Sequence, residues 1–204
     1  MGSHRKGGER LERRTRGPGA HHEERRNQIA DAVLAIVADR GLAAVSLTEV
    51  AAEAGISPGR VQHYFPAKQQ LIEAAFDRGN ALSAARIRRL VGRDLADADP
   101  RSVLTTVLTE LIPYDATTRA HMRVRQSFHA LAFADERIAA RLRVLYDDLH
   151  RRVAALVDPG RPDMEAALSL VALAEGLAAY VLIGHTPPHV ARERVLHAIA
   201  EVYR

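Results

Sequence analysis

The apolar and polar positions along the chain follow the spacing of helices, and no stretch alternates as a half-buried strand does. Over 23–39, Ile29, Val33, Ile36 and Val37 recur at intervals of three and four residues, and Gly41 follows as a stop. A single apolar stripe does not stabilise such a helix alone, so neighbours must cover it. Two short patterns come next. Ser46 and Glu49 fit a capping box, with the serine hydroxyl accepting the Glu49 amide and the carboxylate reaching back to the serine amide, which predicts a helix from Leu47. Leu47, Val50, Ala51 and Ala54 share its inner face, and Gly55 suits a left-handed cap. Ser57 is then an N-cap, Pro58 takes the first helical position, Val61, Tyr64 and Phe65 face inward, and Pro66 closes the second helix.

Six longer patterns follow, over 67–91, 101–112, 116–134, 136–157, 163–183 and 188–203, for nine helices in all. The first is a rod joining two parts: Leu71, Ile72, Ala75 and Phe76 pack on the N-terminal helices, whereas Leu82, Ala85, Ile87 and Leu90 are expected to pack on what lies beyond. The segment 92–100 reads as a loop, and Pro113, Asp135, the turn 158–162 and the turn 184–188 are the remaining breaks.

Composition agrees with an all-α protein. The chain of 204 residues is 47% hydrophobic but only 4% aromatic, rich in alanine, leucine and arginine. It has no cysteine, which removes disulfides, thiol chemistry and cysteine metal sites. The formal charge of +4 and a pI near 9.8 suit a polyanionic partner. Residues 1–22, with Arg10, Arg13, Arg14 and Arg16 and little to bury, are expected to form a disordered basic tail, with a minor-groove arm as the alternative use. No signal peptide is evident, and the apolar stretch 168–184 is interrupted by Glu175, so a cytoplasmic protein without a membrane partner is expected.

Two short helices meeting at a glycine turn make a helix-turn-helix, whose second helix fits the major groove of DNA. Its outward residues are Gly59, Arg60, Gln62 and His63. Arginine can bond guanine bidentately and glutamine adenine, and Gly59 permits close backbone approach, so this face carries readers of base edges. The run AEAGISPGRVQHYFPAKQQLIEAAF resembles the DNA-binding signature of the TetR family of bacterial transcriptional regulators: a Gly-Ile-Ser core, a Tyr-His-Tyr-Phe-like run and a Phe-x-x-Lys step. The likeness spans Arg25 to Phe76. Gln62 departs from it, standing where the family most often has tyrosine. The resemblance implies phosphate contacts from Thr48, Tyr64 and Lys68, joined by Ser46, Ser57 and Pro58 at the two helix starts. It also implies a repressor released from a palindromic operator by a small molecule. An activator, or an architectural binder without an effector, is the alternative.

On this reading 23–66 is the DNA-binding domain and 67–204 binds the ligand and dimerises. The last two helices are expected to form the homodimer surface through Leu170, Ala174, Leu177, Ala178 and Val181 with Val195, Ile199 and Val202. Polar and aromatic residues on otherwise apolar faces are the candidate ligand contacts: Met122, Gln126, His129, Phe133, Tyr146, His150, Glu175 and Tyr180. Glu175 must find a cation, from a ligand or from an arginine on a neighbouring helix. The pairs Asp147/His150 and Glu193/His197 are the closest approach to a metal motif, but the paired Glu-x-x-His set of a di-iron bundle is missing, as are nucleophile elbows and phosphate loops. No catalysis, metal or cofactor is expected.

Overall fold

Helix α1 (Pro18–Arg40) packs against three others and sets the frame of the N-terminal half. The computed structural model describes residues 18–92 and 98–204, and among these the chain forms nine α-helices and no strand. After α1 come a single 3-10 turn (Leu42–Ala44), α2 (Leu47–Ala54), α3 (Pro58–Tyr64) and α4 (Lys68–Val91). The rest are α5 (Pro100–Thr109), α6 (Ala116–Ala132), α7 (Glu136–Val157), α8 (Met164–Leu182) and α9 (Pro188–Val202).

Local chemistry sets these boundaries. Asp99, Asp115, Asp135 and Asp163 each accept backbone amides of the first turn that follows them. Gly41, Gly55, Gly92 and Gly184 end helices with positive φ. Helix α1 begins earlier than its apolar stripe, so residues 18–22, assigned to the tail by sequence, are its first turns. The arginines Arg10, Arg13, Arg14 and Arg16 lie outside the described residues. Helix α5 stops at Thr109 instead of 112, since Ile112 precedes Pro113 and is pushed away from helical geometry.

Two hydrophobic clusters hold the fold. The first joins Ile29, Val33, Ile36 and Val37 of α1 with Val50, Val61 and Phe65 of the short helices and Leu71, Ile72 and Phe76 of α4. It extends past Pro66 into the second half of the chain: Phe76 stacks on Phe128 of α6 at 3.9 Å between centroids, and Ile138 and Leu142 of α7 complete it. The second cluster lies among α5, α7, α8 and α9, with Met122 of α6. The C-terminal half of α4 is not covered as the sequence pattern suggests. Leu82 and Leu90 are exposed and only Ile87 is half-buried, so this part of the rod forms a wall open to solvent.

Helix α8 has the length and composition to cross a membrane. Its Ala167, Leu170, Val171, Ala174, Ala178 and Val181 are instead packed in the second cluster. Of the residues named from sequence as the dimer face, Leu170, Ala174, Ala178, Val181, Val195 and Ile199 therefore fill the monomer core, and Leu177 and Val202 are half-buried against it. A second row, Leu168, Ala172, Gly176 and Tyr180, with Leu173 and Ile183 beside it, is the exposed one.

Candidate nucleic-acid interface and interior site

The hydroxyl of Ser46 accepts the Glu49 amide at 3.2 Å, and that of Ser57 accepts the Arg60 amide at 3.3 Å. The reciprocal half of the Ser46 capping box is absent. Glu49 turns its carboxylate to Arg40 at 2.5 Å, because a guanidinium from the end of α1 competes for it with a charge the serine amide lacks. Between the two helices Gly55 sits at φ 63 with its amide on Ala52.

Helix α3 is anchored by Val61 and Phe65, 0% and 1% exposed. Arg26 of α1 fastens its end, donating to the Tyr64 carbonyl at 3.1 Å while its guanidinium covers the Phe65 ring at 4.3 Å. Gly59, Arg60, Gln62 and His63 are all exposed, as are Ser46, Thr48, Ser57, Pro58 and Lys68. Tyr64 is half-buried rather than turned inward, its ring 4.9 Å from His22 and 5.3 Å from His63. A side chain at Gly59 would meet nothing within 4 Å, so the fold itself does not require glycine there. Lys68 opens α4, where Ala67 supplies no side-chain cap, leaving amides of the first turn for an anion. Sequence reasoning missed the contribution of α1: His21, His22 and Arg25 line a groove with Arg60, His63 and Tyr64. The helical extension back to Pro18 brings them there, and no apolar periodicity signals it.

In the interior the candidate ligand contacts divide. Glu175 of α8 accepts from Arg125 of α6, Nε at 2.7 Å and Nη2 at 2.5 Å, both on Oε1. The Tyr146 hydroxyl of α7 donates to the other carboxylate oxygen and lies 2.9 Å from His129 Nε2. His150 stacks on Tyr146 at 5.7 Å. Glu175, Tyr146, His129 and His150 thus come together around an arginine that the sequence reading did not name. Burial pushes the Tyr146 phenol upward, with Glu175 adding to the shift and Arg125 opposing it. Burial also lowers His129, with Glu175 opposing the shift and Arg125 adding to it. Gln126 is half-buried one position from Arg125. Met122 is fully enclosed in the second cluster. Phe133, 92% exposed at the end of α6, and Tyr180, 51% exposed on the outer row of α8, do not join the group. Of the suspected metal pairs, His197 meets Glu201 at 3.3 Å rather than Glu193, and no metal-holding cluster occurs among the described residues.

A cleft of about 760 Å³ lies elsewhere, between α1, α4 and the first turns of α6. None of the sequence-named ligand contacts lines it. The C-terminal part of α4 forms one wall, and His121 of α6 faces Gly79 of α4 at its floor, where an added Cβ would come 2.9 Å from the imidazole. At one end Arg86 binds Glu110 at 2.8 Å, Asp115 at 2.6 Å and the Tyr114 hydroxyl at 2.7 Å, fastening α4 to the turn between α5 and α6.

Comparison with known proteins agrees with this layout. Residues 29–75 match the model of bacterial regulatory proteins of the tetR family, and residues 100–203 match that of the BetI-type transcriptional repressor C-terminal domain. The chain is 32% identical to the transcriptional regulator BetI of Burkholderia cenocepacia over 160 residues, covering 76% of this chain and 80% of that one. It is 28% identical to the regulator PksA of Bacillus subtilis over 187 residues, covering 88% of each. A TetR-family regulator structure from Rhodococcus sp. superposes with a TM-score of 0.75 at 25% identity, covering 89% of this chain and all of the other. The chain belongs to the TetR family of bacterial transcriptional regulators.

Proposed function

We propose that this regulator is a cytoplasmic repressor that binds a palindromic operator as a homodimer and is released when a small molecule binds its helical body. The observation that carries the reading is the presentation of α3: three outward side chains suited to base edges, with Gly59 beside them, stand on a helix held by two fully buried anchors and an arginine clamp. Arg60, Gln62 and His63 read bases, Gly59 lets the backbone approach, and Thr48, Tyr64 and Lys68, with the starts of α2 and α3 at Ser46, Ser57 and Pro58, hold phosphates. Residues 23–66 act as the reading head, and 67–204 carry dimerisation and effector binding. Repression is supported by the BetI-type repressor match over the C-terminal half.

Dimerisation rests on the exposed row of α8. Leu168, Ala172, Gly176 and Tyr180 fall at four-residue spacing, with small residues where two copies would cross. Selection of bound fragments from the source genome tests the whole reading. A two-fold symmetric consensus with half-sites about one helical turn or a multiple apart is expected. Equal retention of all sequences would establish an architectural binder instead.

A further inference from the structure

The cleft between α1, α4 and α6 combines an apolar body with two polar groups, Arg89 and His121, that have no partner among the described residues. Its walls are Leu34, Ala35 and Ala38 of α1, Leu82 and Ala85 of α4, and Ala120 of α6. Its volume lies within the range of small-molecule sites. The two carboxylates at its edge are already matched, Asp31 by Arg78 at 2.7 Å and Glu110 by Arg86. A cation entering here would have to displace an arginine from one of them. Arg89, exposed at the mouth, has no ion-pair partner among the described residues. At the floor, the Nε2 atom of His121 is buried without a hydrogen-bond partner among the described residues, a state that native structures carry only rarely.

We propose that this cleft binds an organic carboxylate with an apolar body and a polar far end, the carboxylate held by Arg89 and the far end hydrogen-bonded to His121 Nε2. Gly79 and Arg89 are ten residues apart on α4, a rise of about 15 Å. Allowing for the arginine's own reach back along the cleft, a chain of roughly ten carbons fits between the two groups. Because α1 belongs to the reading head and α4 continues directly from it, occupancy of the cleft sets the spacing of α1 against α4. A ligand that prefers one spacing shifts the head's position. This last consequence rests on the repressor reading; the binding site does not.

The probes are ω-hydroxydecanoate, decanoate and decyltrimethylammonium, titrated into the full chain by calorimetry and into its operator complex by fluorescence anisotropy. The expected result is saturable binding of ω-hydroxydecanoate, tighter than decanoate. Arg89→Glu, at an exposed side chain with no partner among the described residues, weakens both carboxylates tenfold or more, and His121→Phe abolishes the advantage of the hydroxyl. Ala85→Trp, which fills the cleft from an exposed position, blocks all binding without unfolding the chain. Equal carboxylate affinity in Arg89→Glu, or tighter binding of decyltrimethylammonium, overturns the assignment. Binding that leaves operator affinity unchanged overturns the effector role and leaves the site standing. Operator release by a compound indifferent to Arg89→Glu and Ala85→Trp keeps the effector role and overturns the site.

Discussion

The reading head and the helical body use polar side chains in opposite ways. On α3 the polar residues point away from the fold and an apolar pair holds the helix, so changing one alters the exposed surface with little effect on stability. In the body Arg125 and Glu175, separated by fifty positions, are buried against each other and tie α6 to α8, with Tyr146 bringing in α7. Their chemistry is spent inside the protein. A residue's type therefore says little about its role until its partner is known: an arginine stands exposed on α3 in one region and neutralises an acid in the other.

The largest expected effect lies on the body side of this contrast. Glu175→Ala leaves the Arg125 guanidinium buried without its counter-charge, and removing one partner of a buried pair costs about 3 to 5 kcal/mol. Urea unfolding should show that loss. A loss under about 1 kcal/mol would mean that water reaches Arg125 and that the body's polar residues are as independent as the head's.

A smaller effect comes from His121. Burial, with the nearby Arg125 charge adding to it, pushes this imidazole down to about 4. The unfolded chain then binds a proton below about pH 6.5 that the folded chain refuses until about pH 4. The contribution is complete above the unfolded value and is lost as pH falls through that window, on the order of 3 kcal/mol in all. His121→Gln should flatten the acid limb of the stability curve by one proton. An unchanged slope would place the imidazole in contact with solvent.

The contrast also explains what could be read in advance. The head was legible because its signals are local: Ser46, Gly55, Ser57, Pro58 and the inward Val61 and Phe65 lie within one short stretch, and the structure puts each of them in its expected place. Most helix ends were legible for the same reason, since aspartates and glycines mark them. The body was not. Glu175 announced that it needed a cation, yet nothing in an arginine-rich chain distinguishes Arg125 from an arginine in water. Helix α8 carries two apolar rows, and with almost no polar side to orient it, periodicity alone did not say which row faces the core. The cleft escaped because its apolar lining comes from three separate helices and its key feature is an unpartnered nitrogen, which exists only once α4 and α6 are packed.

On the head, Arg60→Ala should reduce operator affinity by about 1 to 3 kcal/mol and relax preference at one base pair, with unchanged urea stability. Lys68→Ala should weaken operator and random DNA alike and lower the salt slope by about one charge. Equal losses on both DNAs for both variants would erase the division between base and phosphate contacts.

Gly59→Ala has the smallest effect and separates the two regions by sign. The position lies in the first turn of α3, and an added methyl touches nothing in the fold. Alanine in place of glycine should raise stability by up to about 0.5 to 1 kcal/mol through the reduced entropy of the unfolded chain. If the helix start approaches the groove as closely as its glycine allows, the same methyl must push against DNA and weaken operator binding by about 1 kcal/mol, an amount within reach of anisotropy titration. A gain in stability with a loss in affinity marks a residue kept for its partner rather than for its own fold. A gain in both would move the contact surface away from the start of α3 and onto Gln62 and His63.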